Sequence, residues 1–137
     1  MSSALPNCAL PVTGRCVRFA LVGCGRISAN QIEALRQHQA RAQLVAVCDD
    51  QPAAPATAVA LTGARGHASL DALLGTTTGE HAPDTVALAT RSGLHPRRAM
   101  RVAAAGRHVL TEKFMAAKWD EGLQMVRACR EAAARLA

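Results

Sequence analysis

The stretch Phe19-Ala-Leu-Val-Gly23-Cys-Gly25-Arg-Ile-Ser28-Ala-Asn30 decides the fold. A short apolar run stops at two glycines, and a helical pattern starts immediately after them. A strand that feeds a helix through a glycine turn points backbone N–H groups outward at the positive end of the helix dipole. Parallel α/β sheets present a phosphate-binding surface in this way. Gly23 permits the tight turn, and Gly25 lets the backbone approach an anion with no side chain between. Ser28 stands where a third glycine would be and is small enough to keep the helix close to the sheet. Arg26 and Ile27 complete the turn and belong to the same candidate surface.

Outward from the turn, apolar runs alternate with helical patterns. Residues 16–22 read as a strand covered on both faces, and 26–39 as the helix behind the turn. Residues 43–48 form a second strand that ends at Asp49-Asp50, and a short alanine-rich helix follows over 55–62. A brief extended piece is expected near His67, with Ser69 capping a small helix over 70–74. After a turn-rich segment come a strand over 85–90 and the run Ser92-Gly-Leu-His95-Pro96. Pro96 suits a first helical turn and Gly106 a helix stop. A strand over 107–111 precedes Glu112-Lys113-Phe114, and a last helix is expected from about residue 117 to the terminus. On this reading strand 107–111 is an exposed sheet edge. The alternation predicts an α/β fold, a Rossmann doubly wound parallel sheet with right-handed crossovers. Residues 1–15 are expected to be a flexible arm and 16–137 one dinucleotide-binding domain.

Composition narrows the class. The 137 residues are 50% hydrophobic but include only two Phe, one Trp and no Tyr, so the core must be aliphatic. The charge of +6 suits an anionic ligand. Nucleic acid is not expected as a partner, because stacking aromatics and known motifs are absent and the arginines near residue 100 follow one helix face. The five cysteines are scattered without a Cys-x-x-Cys, which predicts free thiols in a reducing cytoplasm and no metal site. The N-terminus lacks a basic start followed by an apolar run, so no secretory leader is expected, and no apolar stretch is long enough to span a membrane.

Two further residues carry chemistry. Asp49 closes the second strand, where a carboxylate accepts hydrogen bonds from both hydroxyls of an adenosine ribose and repels a 2′-phosphate. That favours NAD over NADP; Asp50 is a second candidate. Lys113 follows a strand on the ligand-binding edge, where partial desolvation beside a cationic nicotinamide lowers a lysine's pKa and fits it for proton exchange with a hydroxyl. Without that context it would read as a solvated loop lysine. Thr90 and His95 fall on the same edge. His67 and His108 read as ordinary packed or surface histidines.

The ordered set Gly23-Cys-Gly25-Arg-Ile-Ser28, Val47-Cys-Asp49, Ser92-Gly-Leu-His95-Pro96 and Thr111-Glu112-Lys113 resembles the N-terminal half of the glucose–fructose oxidoreductase/inositol dehydrogenase (Gfo/Idh/MocA) family. Gly63-Ala-Arg-Gly-His-Ala-Ser-Leu70 and Trp119-Asp-Glu-Gly-Leu narrow the likeness to the branch that oxidises UDP-N-acetylglucosaminuronic acid at C3 during bacterial surface-polysaccharide synthesis. The resemblance implies NAD as cofactor, Lys113 as acid/base and Glu112 as a residue that orders the site. It also implies cofactor contacts from Ser92, His95 and Trp119. Phe114 stands where the family has proline, and Arg91 where it has a small residue or proline. Family members continue into a C-terminal α/β substrate domain that supplies a further histidine and most oligomer contacts. The sequence appears without that domain, so a UDP-sugar is expected as partner only if a second domain is supplied, and oligomerisation stays open. Two other readings share the glycine turn: a dinucleotide-binding module without turnover, and a methyltransferase. Glu112-Lys113 and Ser-Gly-Leu-His-Pro speak against the methyltransferase.

Overall fold

The computed structural model describes residues 12–23, 28–49, 51, 55–90, 92–112 and 115–137. Five strands, β1 (Val17–Val22), β2 (Ala42–Cys48), β3 (Arg65–His67), β4 (Thr85–Leu88) and β5 (His108–Thr111), pair in parallel in the order β3-β2-β1-β4-β5. The helices are α1 (Ser28–Gln37), α2 (Pro55–Thr62), α3 (Leu70–Leu74), α4 (His95–Ala104) and α5 (Trp119–Glu131). The order reverses at β1, the first strand, so the crevice between the β1 and β4 ends is the switch point at which such sheets bind ligands. This is the expected Rossmann arrangement.

Alternation along each strand divides the core between the two faces of the sheet. Ala20, Val22, Val86, Leu88 and Val109 pack with Leu70 and Leu73 of α3, Ala99, Val102 and Ala103 of α4, and Met125 and Cys129 of α5. Leu21, Leu44, Val47 and Ala87 face the other way, towards Ile32 and Leu35 of α1 and Ala58 and Val59 of α2. The alternation slips once. The register shifts between Phe19 and Ala20, which pair with Leu44 and Ala46, so Val45 is the extra residue of a β-bulge. The Val45 carbonyl is taken by the His81 ring, whose Nδ1 lies 3.2 Å away.

The second face is not evenly covered. Phe19, Leu21, Ala87 and Leu110 line an open cavity of about 390 Å³, with Gln31, Leu35 and Glu112 on its walls. At the opposite edge of the sheet, Arg15 makes two hydrogen bonds of 2.8 Å to Asp84, which also accepts the Arg18 N–H at 2.8 Å. Burial pushes the Asp84 carboxyl up, but these bonds outweigh it and hold the group below its usual range. The end of the expected arm is thus tied to the start of β4.

Two expectations need correction at the C-terminus. The last helix stops at Glu131 rather than running on, and Ala133 turns the chain at a φ of 54°. The residues after it return to the sheet. Val109 N–H donates to Arg135 O at 2.8 Å, Ala137 N–H to Val109 O at 3.0 Å, and Thr111 N–H to Ala137 O at 2.7 Å. Residues 135–137 therefore pair in parallel beside β5, which is not a free edge along that length. His108 assists, its Nδ1 accepting the Arg135 N–H at 3.0 Å. A three-residue pairing segment is too short to show a periodicity, so only the fold reveals it.

Candidate cofactor site

The strand ends bring Gly23, Asp49, Thr90 and Glu112 to one edge of the sheet, after β1, β2, β4 and β5 respectively. Gly25, Arg26, Ile27, Lys113 and Phe114 lie outside the described residues, as do Asp50 and Arg91. Ser92 opens a turn of 3-10 helix, Ser92–Leu94, that leads directly into α4.

Gly23 is buried at the end of β1 with a φ of +95°, a conformation that L side chains rarely adopt. Space adds a second constraint. A Cβ there would lie 2.7 Å from Thr90 Cγ2 and 2.8 Å from the Ala89 carbonyl oxygen. The turn and the residues after β4 are therefore in close contact, and only glycine fits. Hydrogen bonds continue the sheet past its strand ends on both sides, from Gly23 N–H to Cys48 O and from Ala89 N–H to Val22 O, each 2.8 Å.

Asp49 sits just past β2, half-buried, and its Oδ1 accepts the Gln51 N–H at 2.8 Å. This local bond fixes the carboxylate in a turn. Thr90 Oγ1 is buried with no hydrogen-bond partner among the described residues. A buried hydroxyl of this kind at the switch point suits a polar ligand.

Glu112 is held from two directions. Its N–H donates to Leu88 O at 3.2 Å, and its Oε1 accepts a hydrogen bond from Gln31 Nε2 on α1. The helix that starts at the glycine turn is thereby linked to the residue preceding Lys113. Sequence reading missed Gln31, although a signal was present. Gln31 lies four residues before Leu35 on the sheet-facing side of α1, and a polar residue in that stripe needs a partner. Trp119, the first residue of α5, is 82% exposed and so is available to a ligand or partner. His95 is the reverse case, with 0% exposure and its Nε2 2.7 Å from Thr90 O.

The described residues hold no group of three or more His, Cys, Asp or Glu able to bind a metal ion. No helix among them is long and apolar enough to cross a membrane. Cys48 and Cys129 are buried and Cys16 is partly exposed, and none of the three is in a disulfide. A glycine cradle that a Cβ would fill, an orphaned buried hydroxyl beside it and a carboxylate at the end of β2 fit the pyrophosphate and ribose of a dinucleotide.

Comparison with known proteins agrees with this geometry. A profile of the Gfo/Idh/MocA family, described as "Oxidoreductase family, NAD-binding Rossmann fold", matches residues 17–137. Among solved structures, the chain is similar to the WlbA dehydrogenase of Chromobacterium violaceum, solved with NADH and UDP-GlcNAcA. The two share 51% identity at a TM-score of 0.85, over 92% of this chain and 35% of that one. The WlbA dehydrogenase of Bordetella pertussis, solved with the same two ligands, shows 52% identity and a TM-score of 0.86, over 91% of this chain and 36% of that one. GenD2 from gentamicin A biosynthesis, solved with NAD, shows 28% identity and a TM-score of 0.81, over 93% and 35% of the two chains. A search of curated proteins matched nothing. The chain thus spans about a third of the length of these solved relatives. It belongs to the Gfo/Idh/MocA oxidoreductase family, and residues 17–137 form that family's NAD-binding Rossmann fold.

Proposed function

We propose that this chain is the cofactor-binding part of an NAD-dependent sugar-nucleotide dehydrogenase. Its substrate would be a UDP-N-acetylhexosaminuronic acid oxidised at C3, in bacterial surface-polysaccharide synthesis. Identity of 51–52% to two dehydrogenases solved with NADH and UDP-GlcNAcA carries the reading.

The residues divide the work as follows. The Gly23 turn and the start of α1 offer N–H groups and the helix dipole to the pyrophosphate. Asp49 accepts hydrogen bonds from the adenosine ribose and disfavours a 2′-phosphate, which selects NAD over NADP. NAD, once bound, supplies the hydride acceptor at nicotinamide C4. Lys113 takes the proton of the substrate hydroxyl, and Glu112, anchored by Gln31 and by Leu88 O, fixes the backbone from which that lysine projects. Arg26, Ile27, Ser92 and Trp119 complete the cofactor contacts. Sugar positioning contributes a large part of the rate in such reactions. We assign it to polypeptide beyond the third of the relatives' length that this chain spans. By itself the chain is then a dinucleotide-binding module without turnover.

Calorimetry with NAD, NADP and S-adenosylmethionine tests the reading. NAD alone should bind well, and a folded sample that bound none would refute the cofactor assignment. Asp49→Ala should weaken NAD about tenfold or more, the worth of one charged hydrogen bond of about 1.5–3 kcal/mol. Unchanged affinity would remove the ribose role of Asp49. Reduction of NAD by the chain with a UDP-sugar acid would refute the need for further polypeptide.

A further inference from the structure

His95 heads the buried stripe of α4, followed by Ala99, Val102 and Ala103 at helical spacing. It is the one fully buried polar side chain among the described residues. Its Nε2 lies 2.7 Å from Thr90 O, and because a carbonyl only accepts, Nε2 carries a proton and donates. A ring with no exposed surface does not reach a ligand in the crevice without leaving that bond. What it does reach is the main chain of Thr90. On the other side of Thr90, Cγ2 occupies the space beside Gly23, 2.7 Å from where a Cβ would sit. A continuous series of contacts therefore runs from the imidazole through Thr90 to the glycine turn.

We propose that His95 is a positioning residue for the phosphate-binding turn. It fixes the Thr90 carbonyl, and the Thr90 methyl sets how deeply Gly23, the residue that opens the turn, sits against the sheet. The inference rests on the NAD reading above. It replaces the direct cofactor contact expected for His95 from the sequence with an effect transmitted through Thr90. The consequence is selective. Loss of the bond disturbs recognition of the diphosphate and leaves the adenosine end, held at Asp49, unaffected.

The experiment measures binding of NAD, ADP-ribose and adenosine to the wild type, His95→Leu, His95→Gln and Thr90→Ser, by calorimetry for the first two ligands and by ligand-observed NMR for adenosine. Thermal unfolding is followed in parallel, and binding is measured where each variant is folded. His95→Leu should weaken NAD and ADP-ribose at least tenfold while adenosine changes less than twofold. His95→Gln, whose amide N–H can replace the ring donor, should stay within about threefold of wild type. Thr90→Ser removes the methyl but keeps the hydroxyl and the histidine bond, and it should reproduce the selective loss; it carries the test if His95→Leu does not fold. The proposal is overturned by unchanged NAD affinity in Thr90→Ser or in folded His95→Leu, or by equal losses for adenosine and ADP-ribose. Failure of the glutamine to rescue overturns it as well. A wild type that binds no NAD refutes the cofactor reading and this inference with it, whereas normal wild-type binding with indifferent variants refutes the inference alone.

Discussion

The two faces of the sheet are built to different standards. On one, α3, α4 and α5 close over β1, β2, β4 and β5, and side chains such as Val86, Leu88, Val102 and Met125 have no measurable exposure. On the other, α1 and α2 cover the β1–β2–β3 side, while Phe19, Ala87 and Leu110 open onto a cavity. The candidate site draws on both. The glycine turn is braced from the closed face by His95 and Thr90, and Glu112 is held from the open face by Gln31. The difference separates the part of the chain that supplies stability from the part whose apolar surface remains available.

The sharpest way to break this contrast is to delete comparable side chains from each face. Met125→Ala should cost about 2–5 kcal/mol, because a fully buried side chain leaves a cavity as well as a lost transfer energy. Leu110→Ala, on the open face, should cost less than about 1 kcal/mol, since solvent already reaches the site. Urea unfolding of the two variants measures both, and equal costs would abolish the distinction. A second test sits where the closed face supports the turn. Gly23→Ala should lose about 1–3 kcal/mol to backbone strain and contact with Ala89 and Thr90, and NAD affinity should fall at least tenfold.

A pH titration sharpens the comparison from the far edge of the sheet. The Asp84 carboxyl is held below the ordinary value of 3.8: burial raises it, but hydrogen bonds from Arg15 and the Arg18 N–H lower it more. A carboxylate with a depressed folded pKa stabilises the protein above its unfolded value, and that contribution is lost as pH falls through the folded value. Wild-type stability should therefore decline as pH drops below about 4–5, and Asp84→Asn should flatten that decline. With the Arg15 side chain 42% exposed, solvent screening keeps the neutral-pH cost of Asp84→Asn well below that of Met125→Ala. The smallest effect is expected at Gln31. Gln31→Leu removes one hydrogen bond to a carboxylate on the wall of an open cavity, where water replaces the lost donor, and should cost only about 0.5 kcal/mol of stability, with thermal unfolding as the readout. A loss as large as that of Met125→Ala would show that the open face is as tightly coupled as the closed one.

Much of the fold was legible because its signals are local. Three near-continuous apolar runs, each ending at a glycine, an acid or a turn, specified β1, β2 and β4, and the short Val109-Leu110 pair after Gly106 marked β5. Ser69 was recognisable as a cap, and its Oγ accepts the Ala72 N–H at 3.1 Å. The bulge at Val45 was not legible, since the run over 44–48 is apolar throughout and carries no phase from which a one-residue slip could be read. The pairing of residues 135–137 with β5 was hidden for a related reason, because alanines and an arginine after a helix look like more helix. His95 was placed on the right edge, but its burial could not be foreseen, because a histidine after a turn is equally suited to a ligand and to a carbonyl.

Sequence by itself determined the order of strands and helices, the glycine turn, the acid after β2 and the family to which they belong. These depend on residue types at short range, where sterics and hydrogen bonding act within a few positions. Only the tertiary structure decided that Thr90 fills the space a Gly23 side chain would need, that His95 supports Thr90 from beneath, and that Gln31 holds Glu112 from across the crevice. The contacts of Thr90 with Gly23 and of Gln31 with Glu112 join residues more than sixty positions apart. The histidine bond spans only five, yet it too depends on how α4 packs against the sheet. Close packing of a doubly wound sheet brings these groups together, and no short-range pattern in the chain encodes which of them will meet.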